Sequence, residues 1–272
     1  MRPIRLSFTR NLACPEKHQR LYQLGEKESP APFTATGSML HEIAAEYIRT
    51  LSRRGLKRKA AIYYGIFNNH TERILDDDLV FEMQDIGENF AFHFEIDSRV
   101  ERNLVEFEMA VTRDFQPIPI NDAMHPNGTA KLDCFTGIAD YLGIQHGGET
   151  ALHGEWKMGN QMFDMFEAQQ NRQIQGYAYL WFKTDSRCQH IASTLFAPKF
   201  NQLSFASFDR DVLVPEFEEY LAGEWAKADA LRAEYGDESW PAWVNFREAC
   251  NFCRLHPYCQ PKQEVIEQWR AA

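Results

Sequence analysis

The chain has 272 residues, 44% of them hydrophobic, enough for one substantial core, so a single elaborated domain over residues 1–272 is expected. No apolar run approaches the ~20 residues that a bilayer crossing requires, which excludes a membrane-spanning helix. The formal net charge of −10 sits awkwardly with a nucleic-acid enzyme, but global charge is a poor guide where metal ions neutralise a site and basic residues cluster locally.

The first residues, Met1-Arg2-Pro3-Ile4-Arg5, lack the apolar core of a signal peptide. A reducing cytoplasm is therefore expected for the six cysteines, with disulfides the weaker reading. The first of these, Cys14, precedes a proline. From Ser38 to Leu51 the apolar residues Leu40, Ile43, Tyr47 and Leu51 recur with a helical period. His41 lies beside that stripe, where a lone histidine is ordinarily structural. Arg49, Arg53, Arg54, Lys57, Arg58 and Lys59 follow without an intervening acid. They suit either contacts to phosphates or a solvated helix end. Asp76-Asp77-Asp78 reads as a solvated loop rather than a metal site. Val105 to Val111 alternates, which places Phe107, Met109 and Val111 on one strand face and Glu106, Glu108 and Ala110 on the other. Glu108 is assigned to a solvated face.

The densest chemistry follows. Thr136 to Ile144 reads as a strand, His146-Gly147-Gly148 as a turn, and Thr150 to Lys157 as the returning strand. Strand side chains alternate, so Glu155 and Lys157 share a face that Trp156 avoids. The hairpin can bring Asp140 near Glu155, giving two hard oxygen ligands for Mg²⁺ or Mn²⁺. Lys157 could then orient or deprotonate a water, or steady the charge on a phosphate under attack. Glu-x-Lys alone carries no signal, because exposed strands alternate charges in the same way.

Met162 to Phe182 reads as a helix with Ile174, Tyr177, Ala178 and Trp181 as its buried stripe. Gln173 and Tyr177 are one turn apart on it and therefore neighbours. Ile191 to Phe196 and Leu203 to Phe208 form a second hairpin. Pro215 and Gly236 then punctuate a long amphipathic helix. Cys250-x2-Cys253-x5-Cys259 is too compact for three independent structural thiols. Thiolates this close suit zinc or an iron–sulfur cluster, and either needs a fourth ligand. Cys134 and Cys188 stand in apolar surroundings and read as buried small hydrophobes.

Gly137 with Asp140, Glu155-Trp156-Lys157, Gln173 with Tyr177, and Gly37-Ser38-Met39-Leu40-His41 together resemble the PD-(D/E)XK nuclease superfamily, in its RecB-like branch. That branch carries Gly-x-x-Asp, Asp/Glu-x-Lys on the next strand, a helix with Gln-x-x-x-Tyr, and an upstream helix with Gly-x-x-x-His. The likeness extends from Cys14 to Cys259, although 53–107 and 114–130 match nothing in it. It implies a metal held by His41, Asp140, Glu155 and the carbonyl of Trp156. It also implies that Gln173 and Tyr177 position the substrate backbone and brace the catalytic strand. The cysteines resemble those of the CRISPR-associated RecB-like exonuclease and the AddB nuclease domain, which implies a 4Fe–4S cluster on Cys14, Cys250, Cys253 and Cys259. A zinc knuckle is the alternative for the triplet.

The expected fold is α/β: a restriction-endonuclease-like central mixed sheet flanked by helices, with an iron–sulfur lobe joining the N- and C-terminal regions. The catalytic core is expected at about 130–215, and the cysteine lobe at Cys14 plus 245–262. The expected function is metal-dependent hydrolysis of DNA, mainly at single-stranded ends, in recombination, repair or CRISPR adaptation. The alternatives are an endonuclease of the same fold, a spacer-processing partner, and a non-catalytic DNA-binding subunit of a larger complex.

Overall fold

The structure is a computed structural model that describes residues 2–6, 14–26, 32–54, 59–72, 74, 76–158, 167–241 and 259. In chain order its elements are β1 (Arg5–Leu6), α1 (Pro15–His18), α2 (Pro32–Arg54), α3 (Lys59–Thr71), α4 (Asp77–His93), β2 (Arg102–Thr112), β3 (Pro117–Ile118), α5 (Ile120–Ala123), β4 (Cys134–Gln145), β5 (Thr150–Trp156), α6 (Glu167–Gln170), α7 (Arg172–Thr184), β6 (His190–Ala197), β7 (Gln202–Asp209) and α8 (Arg210–Tyr235). This is an α/β chain with a mixed sheet flanked by helices. It divides into two compact units, Met1–Ser29 with Glu108–Gly137 and Val214–Ala272, and Pro30–Phe107 with Ile138–Leu213. Among the described residues no helix is long and apolar enough to cross a membrane.

The second unit holds the strand order β2-β4-β5-β6-β7. β4 and β5 run antiparallel, with Tyr141 opposite Gly154 and Gln145 opposite Thr150. β5 and β6 run parallel, from Thr150 beside His190 to Trp156 beside Phe196, and α7 supplies the crossover that parallel pairing demands. β6 and β7 close the order as an antiparallel hairpin. Helices α2, α3 and α4 bury Tyr47, Tyr63, Phe67 and Phe90 in one cluster with Tyr141, Trp156 and Phe196. The ring of Phe90 meets Trp156 edge-on at 4.9 Å, so a stretch that matched no motif builds the floor under the β5 strand.

The first unit joins the start of the chain to its later residues. β1 pairs in parallel with the start of β4, Arg5 beside Cys134 and Leu6 beside Phe135. The Asp133 carboxylate accepts from Ile4 N at 2.8 Å and from both terminal nitrogens of Arg232 at 2.7 and 2.6 Å. Gln19 binds Trp240 N and Glu238 O through its side-chain amide, at 2.8 and 2.6 Å. Cys14 is buried and Cys259 half-buried, while Cys250 and Cys253 lie outside the described residues.

Several local expectations change. The helix expected from Met162 is two helices among the described residues, α6 and α7. They are separated at Asn171, whose side-chain oxygen accepts from Gln173 N at 2.9 Å and Ile174 N at 3.3 Å. That capping satisfies amides which a continuous helix would bond internally. Asp76-Asp77-Asp78 is a helix start, not a loop, because Asp76 caps α4 through Leu79 N and the other two acids oppose the positive end of its dipole. The alternation over Val105 to Val111 holds as far as Met109, although Glu106 has a φ of 51°, and it ends at Ala110, which is buried along with Met109 and Val111. The last long helix begins at Arg210, so Pro215 lies inside it. Cys134 and Cys188 are buried as expected, and burial pushes their thiols up to about 12 and about 11.

Candidate active site

Every residue expected at a catalytic metal site falls in the second unit. The connection from β4 to β5 is the tight turn His146–Gly148, where φ values of 51°, 63° and 101° favour the two glycines. This turn sets the register that ends with Tyr141 opposite Gly154, so Asp140 and Glu155 are the next residues at that end of the backbone ladder. There Trp156 N donates to Asp140 Oδ2 at 2.9 Å, a side-chain bond beyond the last backbone pair. The Trp156 ring folds over Gly154, where a β-carbon would stand 2.7 Å from it, and packs into the aromatic cluster.

His41 reaches the same place from α2, one turn beyond Gly37, with Nδ1 at 3.6 Å from Asp140 Oδ1. That separation is an electrostatic contact rather than a hydrogen bond. Burial lowers the imidazole pKa, but Asp140, with a smaller contribution from Glu155 and against Lys157, carries it above its usual 6.5.

Glu155 is only 2% exposed. Its Oε1 accepts from Lys157 Nζ and, at 2.9 Å, from Gln173 Nε2. Gln173 Nε2 also donates to Tyr177 Oη at 2.9 Å, and Gln173 Oε1 accepts from Lys157 Nζ at 3.0 Å. Gln173 thus grips both ends of the Glu-x-Lys pair, and Tyr177 bonds Gln173. Asn171 makes this possible by starting α7 immediately before Gln173. Burial first, and then the Asp140 charge, push the Glu155 carboxyl up to about 7, against Lys157 and His41. Burial raises the Tyr177 phenol well above 10, with Glu155 adding to the shift, so the ring stays neutral.

Glu155 Oε2 is buried and has no hydrogen-bond partner among the described residues. An unsatisfied carboxylate oxygen facing a second carboxylate is costly, and a hard divalent cation would relieve both the missing partner and the repulsion. The donors Asp140, Glu155 and His41 fit such an ion in chemistry. As the side chains stand, no group of three or more His, Cys, Asp or Glu among the described residues is arranged to hold a metal ion. Asp140 is turned to the Trp156 amide, and Glu155 to Lys157 and Gln173. Cation binding would exchange some of these bonds.

His153 was not singled out by motif or spacing. It lies on the same face of β5 as Glu155, fully buried, with Nδ1 3.2 Å from Ser193 Oγ and its ring 5.3 Å from that of Tyr177. Its signal in the sequence is only the alternation His153, Glu155, Lys157, which any strand with polar alternate residues shares. In the basic run, Arg49 pairs with Glu106 at 2.7 Å, and Lys59 bonds Glu95 Oε1 and Phe94 O, both at 3.1 Å. These two cations are engaged within the protein rather than presented to a partner. Glu108 is exposed, as a solvated strand face requires.

The sequence profile of the PD-(D/E)XK nuclease superfamily matches residues 7–260. No curated protein matches the chain. Among solved structures, one described as "Crystal structure of SSO0001" aligns over 82% of this chain and 85% of that one, at 11% identity and a TM-score of 0.31.

Proposed function

Because the chain belongs to the PD-(D/E)XK nuclease superfamily, whose members are metal-dependent nucleases, we propose that it hydrolyses DNA phosphodiesters at single-stranded ends, with Asp140, Glu155 and Lys157 at the reacting centre. One observation carries the reading: a buried Glu155, with an oxygen unpartnered among the described residues, feels the Asp140 charge and is tied to Lys157. His41, Asp140, Glu155 and the Trp156 carbonyl would hold Mg²⁺ or Mn²⁺. When bound, that cation supplies Lewis-acid polarisation of the phosphate and activation of a water at neutral pH. Lys157 stands against Glu155 and Gln173, where its ammonium can hold the attacking water and offset charge gathering on the phosphate. Gln173 keeps Lys157 and Glu155 in one arrangement, and the neutral Tyr177 anchors Gln173.

The end preference and the unpaired strand rest on likeness to the RecB-like branch through Gly37 and His41. The unpaired strand also rests on aromatic residues about the site, on which bases can stack, while the lack of any sequence element that reads base edges supports little sequence preference. The 4Fe–4S cluster on Cys14, Cys250, Cys253 and Cys259 is part of the same proposal. It is supported by thiol spacing, by the Cys14-Pro15 step at the start of α1, and by the bonds from Glu16 and Gln19 to residues 238–241. Such a cluster would staple this unit, since metal binding to a site absent from the unfolded chain adds to folding free energy. Work in recombination, repair or CRISPR adaptation follows from the same likeness, and a reducing cytoplasm would keep these thiols available to a cluster. Digestion of matched linear and circular single strands, with Mg²⁺, Mn²⁺ or chelator, tests the reading. Rapid loss of the linear strand, slow attack on the circle and none with chelator are expected; equal cutting of both strands indicates an endonuclease.

A further inference from the structure

His153, Glu155 and Lys157 line one face of β5 and its end, but only the last two enter the chemistry above. The parallel register sets His153 beside Ser193, and the pair is joined by the 3.2 Å contact between Nδ1 and Oγ. Both residues are only 2% exposed. On its other side the imidazole meets the Tyr177 ring at 5.3 Å, tilted by 59°. Tyr177 Oη accepts from Gln173, and Gln173 binds both Glu155 and Lys157. A continuous set of contacts therefore runs from β6 through His153 to the two charged groups.

Stability alone gives no reason for histidine here. Its Nε2 is buried without a partner among the described residues, a deficit that costs on the order of 1–3 kcal/mol. A phenyl ring of similar shape would pack against Tyr177 and remove that deficit, at the comparable cost of leaving buried Ser193 Oγ without its imidazole partner. What histidine adds is direction, because the bond to Ser193 fixes the tilt of the ring and so the surface on which Tyr177 rests. We propose that His153 and Ser193 form a positioning pair that sets, through Tyr177 and Gln173, where Glu155 and Lys157 stand. The proposal rests on the nuclease reading above, and it makes His153 a positioning residue that touches neither substrate nor water.

The test compares His153→Phe, His153→Asn and Ser193→Ala with the wild type. It reads kcat and KM on linear single-stranded DNA, thermal unfolding, and Mn²⁺ affinity by calorimetry without DNA. His153→Phe is expected to fold as stably as the wild type yet lose about 10-fold in kcat and about 10-fold in Mn²⁺ affinity, with KM little changed. His153→Asn, whose amide can replace Nδ1 toward Ser193, should recover part of both losses. Ser193→Ala should fall in the same direction, and adding it to His153→Phe should cost nothing more. Retention of kcat and Mn²⁺ affinity within twofold in His153→Phe would overturn the proposal. Should that variant fail to fold, Ser193→Ala decides by the same two readouts. A wild type that binds Mn²⁺ but cuts no DNA would defeat the nuclease reading alone, leaving the Mn²⁺ titrations to decide the role of His153. A wild type that does not bind Mn²⁺ would overturn both.

Discussion

Gln173 Nε2 lies 2.9 Å from Glu155 Oε1, so one turn of α7 is bonded to the strand that carries the buried carboxylate. The same amide group accepts from Lys157 and donates to Tyr177, which makes helix and strand one bonded unit. Removing its carboxylate or its ammonium should harm chemistry more than folding. Glu155→Ala and Lys157→Ala are expected to fold and bind DNA but to cut at least about 10²-fold more slowly, as losses at comparable electrostatic sites suggest. Binding by fluorescence anisotropy alongside single-turnover cleavage checks this, and near wild-type cleavage in both variants would mean the site is misassigned.

Gln173→Leu removes the bridge while keeping the helix. Cleavage should drop by about 10-fold, because Lys157 and Glu155 lose their shared partner. Single-turnover rates on labelled linear DNA measure the loss; an unchanged rate would show that the bridge does not serve the chemistry.

Protein purified anaerobically should be brown and absorb broadly near ~400 nm, with iron and sulfide in roughly 4:4 ratio. Cys14→Ser, Cys250→Ser, Cys253→Ser and Cys259→Ser should each bleach it, whereas Cys134→Ser and Cys188→Ser should not. Stoichiometric zinc without iron or sulfide would replace the cluster with a zinc lobe.

His18 is buried between Tyr22 and Trp240, and burial, followed by the charges of Arg232 and Arg5, depresses its pKa from 6.5 to about 3. The folded state therefore resists the proton that the unfolded chain takes up below 6.5. The stabilising contribution is complete above pH 6.5 and declines as pH falls toward 3, by at most on the order of 5 kcal/mol. Urea unfolding between pH 4 and 8 should show this slope, and His18→Phe should flatten it. An identical slope in that variant would assign the pH dependence to other groups.

Arg232 is only 8% exposed and grips Asp133, which also accepts from Ile4 N. Burial opposes ionisation of Asp133, but Arg232 and the Ile4 amide hold its carboxyl below the usual range. Arg232→Met strips that carboxylate of its close ion-pair partner, leaving the Ile4 amide and Arg113 at 3.7 Å, and should destabilise the fold by roughly 3 kcal/mol. Hydrogen exchange at Ile4 should accelerate most, since its amide bonds to the group set adrift. Unchanged stability would remove the pair from the account of how β1 is anchored.

The local order of the site was legible because it depends on short periods. Alternation along β5 places Glu155 and Lys157 together, and a single helical turn places Gln173 beside Tyr177. The glycines after His146 announced the hairpin that brings Asp140 to Glu155. Features that depend on distant pairing were not legible. Ser193 meets His153 only because a parallel register, set by the α7 crossover, joins residues 40 positions apart. The burial of Ala110 between Met109 and Val111 is likewise set by what packs on both faces of that strand end, which no alternation rule contains. Phe90 became the support of Trp156 only once α4 had packed on the sheet. Sequence by itself determined the types and local spacing of the chemical groups, since these follow from bond geometry within a few residues. Tertiary structure alone decided which oxygen of Glu155 lacks a partner and how far burial lifts its pKa, because desolvation is set by everything packed around it.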